Sequence, residues 1–141
     1  MRFNHVGISV SNIEQSLDFY CGHFGLEKMC EVFEFGGEDF DAVMGLGNAR
    51  GRMVMIGRND LHLELFEFAN PAPKAQDPGY PVSDRGITHF GFDVDDIDDV
   101  YQRLAAVGTP MHAPVTKFQG GMRATYCRDP DGNVFEIMQQ T

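Results

Sequence analysis

The segment NHVGISVSNI at residues 4–13 has a close copy, THFGFDVDDI, at residues 88–97. Histidine, glycine, valine and isoleucine occupy the same positions in both copies, and apolar residues alternate with small or polar ones between them. This alternation is typical of a β-strand with one face toward the core, and both segments continue into an amphipathic helical pattern. Two such starts in one chain predict two copies of one structural module.

The two halves also match where they end. LHLELF at residues 61–66 resembles NVFEIM at residues 133–138, and each predicts a strand with one glutamate inside an apolar run. The space between helix and final strand is predicted to hold two more strands per half, over 30–35 and 52–57 in the first and over 112–115 and 123–127 in the second. We therefore expect an α+β fold of two βαβββ modules, residues 1–68 and 87–141, joined by a proline-rich linker over 69–86.

Each repeated segment is followed by a predicted helix. Ser11 and Glu14 have the spacing of a capping box, which predicts the start of the first helix, and Gly25 predicts its end. In the second half, either Asp95 or Asp96 is expected to cap the helix. Each helix would pack on one face of its own sheet.

Composition restricts the classes of function. The chain has 141 residues, of which 43% are hydrophobic and 23% charged, with a formal net charge of −10. So acidic a domain would repel nucleic acid and anionic membranes, and no apolar run is long enough for a transmembrane helix. Three cysteines without CxxC spacing argue against a disulfide framework or a thiolate zinc site. With no signal peptide expected before the first strand, we predict a cytoplasmic protein.

Four ionisable residues lie at matched points of the two halves. Strand alternation places His5, Glu64, His89 and Glu136 on faces opposite their helices. A carboxylate withdrawn from water is costly unless it is paired or bound to a cation. Taken singly, each is more often an ordinary hydrogen-bonded side chain, but the repetition favours a ligand set for one divalent metal. Two imidazoles and two carboxylates suit Zn²⁺, Ni²⁺, Co²⁺, Mn²⁺ or Fe²⁺.

The repeated segments, together with SLDFY at residues 16–20 and the DPDG turn at residues 129–132, resemble the vicinal oxygen chelate superfamily. Its members include glyoxalase I, methylmalonyl-CoA epimerase, extradiol dioxygenases and the fosfomycin- and bleomycin-resistance proteins. The resemblance covers nearly the whole chain and is specific for the superfamily rather than for one reaction. It implies two βαβββ modules whose sheets curl into one mixed sheet around a metal-binding cleft. It also implies that a small-molecule substrate binds there and that the chain forms a homodimer.

Coordination number favours one reaction type. Four protein ligands on an octahedral ion leave two positions, whereas a ring-cleaving dioxygenase must hold a bidentate catecholate and O₂ together. Glu64 therefore favours a lyase or isomerase of the glyoxalase I type, in which a carboxylate moves a proton beside a metal-chelated carbonyl. Glu136 is the preferred base and Glu64 the second choice. The substrate would be a 2-oxoaldehyde–thiol adduct or an acyl thioester.

Three further residues are predicted to bind substrate. Arg52 and Arg123 would suit the anionic groups of glutathione or coenzyme A, and Tyr126 is the third candidate. His62 shares a face with Glu64 and is predicted to be exposed or to support the ligands. His112 has no matched partner in the other half and is predicted to be a surface residue.

Two alternatives remain open. The run from Tyr126 to Glu136 resembles the tail of the extradiol dioxygenase signature, but residues 117–121 lack the histidine that this signature contains. Some superfamily members instead bind an antibiotic without catalysis, and these usually lack the full ligand set. Metal content and oxygen dependence would separate the three possibilities.

Overall fold

A computed structural model describes residues 1–140, which divide into two compact units, Met1–Ala75 and the part of the chain from Gln76 onward. The division lies inside the segment predicted as a linker. The first unit contains β1 (Val6–Ser9), α1 (Ile13–Phe24), β2 (Glu27–Lys28), β3 (Phe33–Gly36), α2 (Glu38–Met44), β4 (Arg50–Arg58) and β5 (Leu61–Asn70). The second contains β6 (Phe90–Asp93), α3 (Ile97–Ala106), β7 (Thr116–Lys117), β8 (Arg123–Arg128) and β9 (Val134–Gln139).

Both units have the same sheet topology. The first sheet has the order β1-β5-β4-β2, with β3 also paired to β4, and the second has the order β6-β9-β8-β7. In each sheet the first strand runs parallel to the last, and the other pairs are antiparallel. The prediction of an α+β fold with two βαβββ modules is therefore confirmed, although β5 extends two residues beyond the predicted end of the first module.

The helix-facing side of each sheet forms the core of its unit. In the first unit Leu63 and Leu65 of β5 are fully buried beside Ile13 and Tyr20 of α1. In the second unit, Phe135 and Ile137 of β9 occupy the corresponding positions and are also fully buried, as are Ile97 and Leu104 of α3. Burial of one face leaves the other face of the same strands for polar residues.

The predicted strand at residues 30–35 is wrong in its bounds. Two short strands, β2 and β3, stand there, and both pair with β4. Between β2 and β3, the Met55 amide donates a hydrogen bond to the Cys30 thiol at 3.4 Å instead of to a backbone carbonyl. This side-chain acceptor interrupts the ladder, and the apolar pattern of the sequence does not reveal it.

The strand predicted at residues 112–115 is also displaced. The ladder with β8 consists of β7 at Thr116–Lys117, preceded by an isolated bridge between Met111 and Cys127. Pro114 lies between the bridge and β7, and proline has no amide hydrogen to donate to a ladder. The interruption follows from that missing donor.

The first helix is capped by a different residue from the one predicted. Asn12, not Ser11, is the N-cap, and its side chain accepts a hydrogen bond from the Gln15 amide at 2.8 Å. Glu14 points away from the cap and pairs with an arginine described below. The end at Gly25 is as predicted, because this residue has the left-handed conformation (φ 64°) that favours glycine at a helix C-terminus.

The second helix starts as predicted. Asp96 accepts hydrogen bonds from the amides of Asp98 and Asp99 at 3.1 and 3.0 Å. Within residues 1–140, no helix combines the length and the apolar character needed to cross a membrane.

Candidate functional site

The first predicted ligand pair lies on the face of the first sheet that α1 does not cover. His5 immediately precedes β1, and Glu64 lies in the adjacent strand β5, directly opposite Gly7. His5 Nε2 and Glu64 Oε2 are 3.3 Å apart. The Glu64 side chain retains only 18% of its exposure, so the carboxylate is largely withdrawn from water beside an imidazole.

The second unit repeats this arrangement. His89 immediately precedes β6, Glu136 lies opposite Gly91 in β9, and His89 Nε2 is 3.4 Å from Glu136 Oε2. A Cβ atom at Gly91 would lie 3.5 Å from Glu136 Oε2, so glycine keeps the space in front of the carboxylate open. The two units therefore present the same pair of donor atoms at equivalent positions.

Hydrogen bonds at the other ring nitrogens show how each pair can bind a cation. His5 Nδ1 lies 2.7 Å from Asn4 Oδ1, an atom that only accepts, so the imidazole donates there. A ring that carries its only proton on Nδ1 presents the Nε2 lone pair to the Glu64 carboxylate, and a proton or a metal ion between these two atoms makes the contact favourable. His89 Nδ1 is similarly bonded to Thr88 Oγ1 at 2.9 Å. One imidazole nitrogen and one carboxylate oxygen per pair form a donor set that suits a divalent transition metal.

The four predicted ligands are therefore brought together two by two. In the described part of the chain, no group of three or more His, Cys, Asp or Glu side chains is arranged to hold a metal ion. That all four residues serve one ion stays a prediction.

Tyr126 lies beside the second pair. It is directly opposite Glu136 in the β8–β9 ladder, and its ring centroid is 4.4 Å from that of His89, with 37° between the planes. Burial raises the pKa of the Tyr126 hydroxyl, and the charge of Glu136 adds to the effect. A neutral phenol next to the pair can donate a hydrogen bond to a bound oxygen atom, which supports the prediction that Tyr126 contacts substrate.

His112 is exposed, as predicted, and it is a neighbour of Tyr126. Its amide donates to the Tyr126 carbonyl at 2.9 Å, and the two ring centroids are 6.0 Å apart. Burial lowers the pKa of His112, and the nearby charge of Arg128 lowers it further. The antiparallel pairing of residues 111–117 with β8 brings His112 next to Tyr126. The sequence analysis missed this contact because it predicted the strand at residues 112–115.

The two arginines predicted to bind substrate form ion pairs with residues of the helices. Arg52 lies opposite Glu67 and Met55 opposite Glu64 in the β4–β5 ladder, so residues 52 and 55 point to opposite sides of the sheet. Arg52 donates to Glu14 of α1 at 2.7 and 2.9 Å and to Glu67 at 2.8 Å. These contacts connect α1 to the sheet, and they hold the Arg52 guanidinium group on the face opposite the His5–Glu64 pair.

Arg123 has the equivalent position in the second unit. It donates to the Asp98 carboxylate of α3 at 2.8 and 2.7 Å. Arg123 lies three positions before Tyr126 in β8, so the two side chains point to opposite faces of the sheet. A role of either arginine in substrate binding stays a prediction, whereas the observed contacts give both a structural role that the sequence analysis missed.

These ion pairs predict a pH-dependent contribution to stability. The hydrogen bonds from Arg52 hold the pKa of Glu14 below its ordinary value. A depressed folded-state pKa stabilises the protein above the unfolded-state value of about 4.3, and the contribution is lost as pH falls through the folded-state pKa. Glu14→Gln should therefore lower the thermal denaturation midpoint at pH 7, and the difference from wild type should shrink as the pH falls through the folded-state pKa of Glu14.

The equivalent Asp98→Asn variant is the matched comparison, because Arg123 lowers the pKa of Asp98 in the same way. Denaturation curves of the variants and wild type between pH 3 and 7 provide the measurement. A deficit of the same size at every pH would contradict the ion-pair explanation.

Comparison with known proteins places the chain in a family. Residues 2–137 match the model of the Glyoxalase/Bleomycin resistance protein/Dioxygenase superfamily, and the chain belongs to that superfamily. The resemblance inferred from the repeated His and Glu segments is therefore confirmed.

Three similar proteins illustrate the range of the family. The chain is 26% identical to the uncharacterized protein YaeR of Escherichia coli K12, over 99% of this chain and 96% of that protein. It is 23% identical to the lactoylglutathione lyase GLX1 of Arabidopsis thaliana, over 99% of this chain and 44% of that protein. A crystal structure of a glyoxalase family protein from Bacillus cereus superposes with a TM-score of 0.90 at 25% identity, covering 99% of this chain and 93% of that one.

Proposed function

We propose that this chain is a metal-dependent lyase or isomerase of the glyoxalase I type, acting on a 2-oxoaldehyde–thiol adduct or an acyl thioester. The observation that carries the proposal is the equivalent His–Glu pair in each unit, with Nε2 3.3 or 3.4 Å from a carboxylate oxygen. The similarity to a lactoylglutathione lyase supports the same reaction class.

The proposed metal ligands are His5, Glu64, His89 and Glu136. Together they would complete four positions of one divalent ion, whether the two pairs belong to one chain or to two copies of it. When bound, such an ion polarises a carbonyl and makes the neighbouring C–H more acidic. We propose zinc, nickel, cobalt, manganese or iron for this position, because the donor set of imidazole and carboxylate accommodates each of them.

The protein's own residues would move the proton. Glu136 is proposed to take it from the carbon next to the carbonyl, which leaves an enediolate, and to return it to the neighbouring carbon. For a hemithioacetal this transfer yields the thioester of a 2-hydroxy acid without gain or loss of electrons. Tyr126 lies in register with Glu136 and is proposed to donate a hydrogen bond to a substrate oxygen. Glu64 is the second candidate for the base.

Isotope exchange tests this chemistry. Protein loaded with Zn²⁺ or Ni²⁺ is incubated in D₂O with methylglyoxal and glutathione, and the thioester product is analysed by mass spectrometry. Because the carboxylate exchanges with solvent, we expect deuterium at the carbon that receives the proton, and no consumption of oxygen.

Other outcomes would favour the alternatives. Oxygen uptake and ring cleavage when air is admitted to an anaerobically prepared Fe²⁺ form mixed with catechol would support a dioxygenase. Stoichiometric binding of bleomycin without turnover of either substrate would support a binding protein. Either result would overturn the proposed lyase or isomerase activity.

We also propose that the chain forms a homodimer. Each sheet ends in short strands, β2 in the first and β7 in the second, and a symmetric partner can protect such edges. Light scattering at micromolar concentration should give twice the mass of the 15.7 kDa chain. A monomer mass in both the metal-free and metal-loaded states would contradict the proposal.

A further inference from the structure

Asn4 contacts two imidazole rings in the first unit. Its side-chain oxygen lies 2.7 Å from His5 Nδ1, and its main-chain oxygen lies 3.1 Å from His62 Nδ1. Both oxygens can only accept, so both rings donate from Nδ1. His62 therefore donates to the Asn4 backbone, and the Asn4 side chain determines which nitrogen of His5 carries the proton.

The consequence concerns His5. A neutral imidazole carries one proton, and the hydrogen bond at one nitrogen decides which nitrogen remains free. With the proton on Nδ1, the free lone pair is on Nε2, the atom that lies 3.3 Å from Glu64 Oε2. The ring is thus set in the form that can share a metal ion with this carboxylate.

We infer that Asn4 is a positioning residue that selects the metal-binding tautomer of His5, with His62 holding the Asn4 backbone in place. The inference rests on the proposed function, because it assigns to Asn4 a role in binding the proposed metal. It also gives His62 a function that needs no direct contact with the ion.

The second unit lacks this arrangement. Thr88 occupies the position of Asn4, and Val134 occupies that of His62. A threonine hydroxyl both donates and accepts, so it satisfies either tautomer of His89. The two halves therefore differ in how firmly they specify the metal-binding nitrogen, although their ligands are the same.

Zinc affinity measured by competition with a chromogenic chelator tests the inference without an activity assay. Asn4→Ala should weaken Zn²⁺ binding about 10- to 100-fold, the range typical for loss of a group that orients a metal-bound histidine. Asn4→Asp keeps an acceptor and should retain affinity near that of wild type. Thr88→Ala should cost less than Asn4→Ala. Because Asn4 is exposed, none of its variants opens a hole in the core.

Nitrogen-15 NMR of the zinc-loaded protein provides the direct readout. We expect ¹⁵N chemical shifts that show a protonated Nδ1 on His5 in wild type and in Asn4→Asp, and loss of this single tautomer in Asn4→Ala. Tight zinc binding that requires Glu64 but is unchanged in Asn4→Ala would overturn this inference alone. Failure of the wild-type protein to bind zinc or any of the other proposed metals would overturn the proposed function and the inference with it.

Discussion

Replacing Glu64 and Glu136 together by alanine should remove tight binding of Zn²⁺ or Ni²⁺. Each carboxylate lies within 3.4 Å of the imidazole nitrogen proposed to bind the same ion, so the variant keeps only the two histidines. Loss of a group that merely orients a ligand costs about 10- to 100-fold in affinity, and loss of two ligands should exceed that range. Metal analysis after gel filtration should show about one ion per chain in wild type and a large reduction in the variant.

A second double variant controls for charge. Glu27→Ala with Glu31→Ala removes two exposed carboxylates from the same chain and should leave metal content unchanged. Circular dichroism should show that both double variants are folded. Unchanged stoichiometry and affinity in the Glu64 and Glu136 variant would show that these residues are not the ligands.

The alternation of apolar and polar residues was sufficient to predict that His5, Glu64, His89 and Glu136 lie on faces opposite the helices. His5 and Glu64 are 59 positions apart in sequence, but a period of two residues fixes the face on which each lies. The parallel pairing of the first and last strands then places them side by side. The second half follows the same rule, so the repeat predicted the local site twice.

The roles of the arginines depended on information that the pattern does not contain. Arg52 lies three strand positions from Met55, the residue opposite Glu64, and this odd separation turns it toward α1. Which residue of β4 faces Glu64 depends on the register of a hairpin, and a shift of one residue reverses every face. Charge alone suggested an anion-binding role, which stays a prediction, and the register adds an ion pair between Arg52 and Glu14.

The environment of Tyr126 was hidden for a related reason. The prediction placed a continuous strand at residues 112–115, but Pro114 interrupts the ladder and leaves His112 beside Tyr126 in an isolated stretch. Asn4 was overlooked because it lies just outside a strand and contacts the two histidines through one side-chain and one main-chain oxygen. Hydrogen bonds of this kind have no periodic signature in a sequence.

The register of β9 gives the second large effect, since it places Glu136 opposite both Gly91 and Tyr126. Glu136→Gln should lower kcat for the methylglyoxal–glutathione adduct by about 10²- to 10⁴-fold, the contribution typical of a general base. Glutamine has nearly the same shape as glutamate but cannot accept and return the substrate proton. The assay is run at saturating metal, so that weaker metal binding by the amide does not account for the loss.

The comparison with Glu64→Gln decides which carboxylate is the base. If Glu136 moves the proton, its variant should lose both turnover and deuterium incorporation, while Glu64→Gln at saturating metal should lose less. His23→Ala, in α1 on the helix side of the first sheet, should retain wild-type turnover. A larger loss in Glu64→Gln than in Glu136→Gln would show that Glu64, in the first unit, is the base. Full activity in both single variants would contradict Glu136 as the principal base, and activity retained in the double variant Glu64→Gln/Glu136→Gln would exclude a carboxylate base at either His–Glu pair.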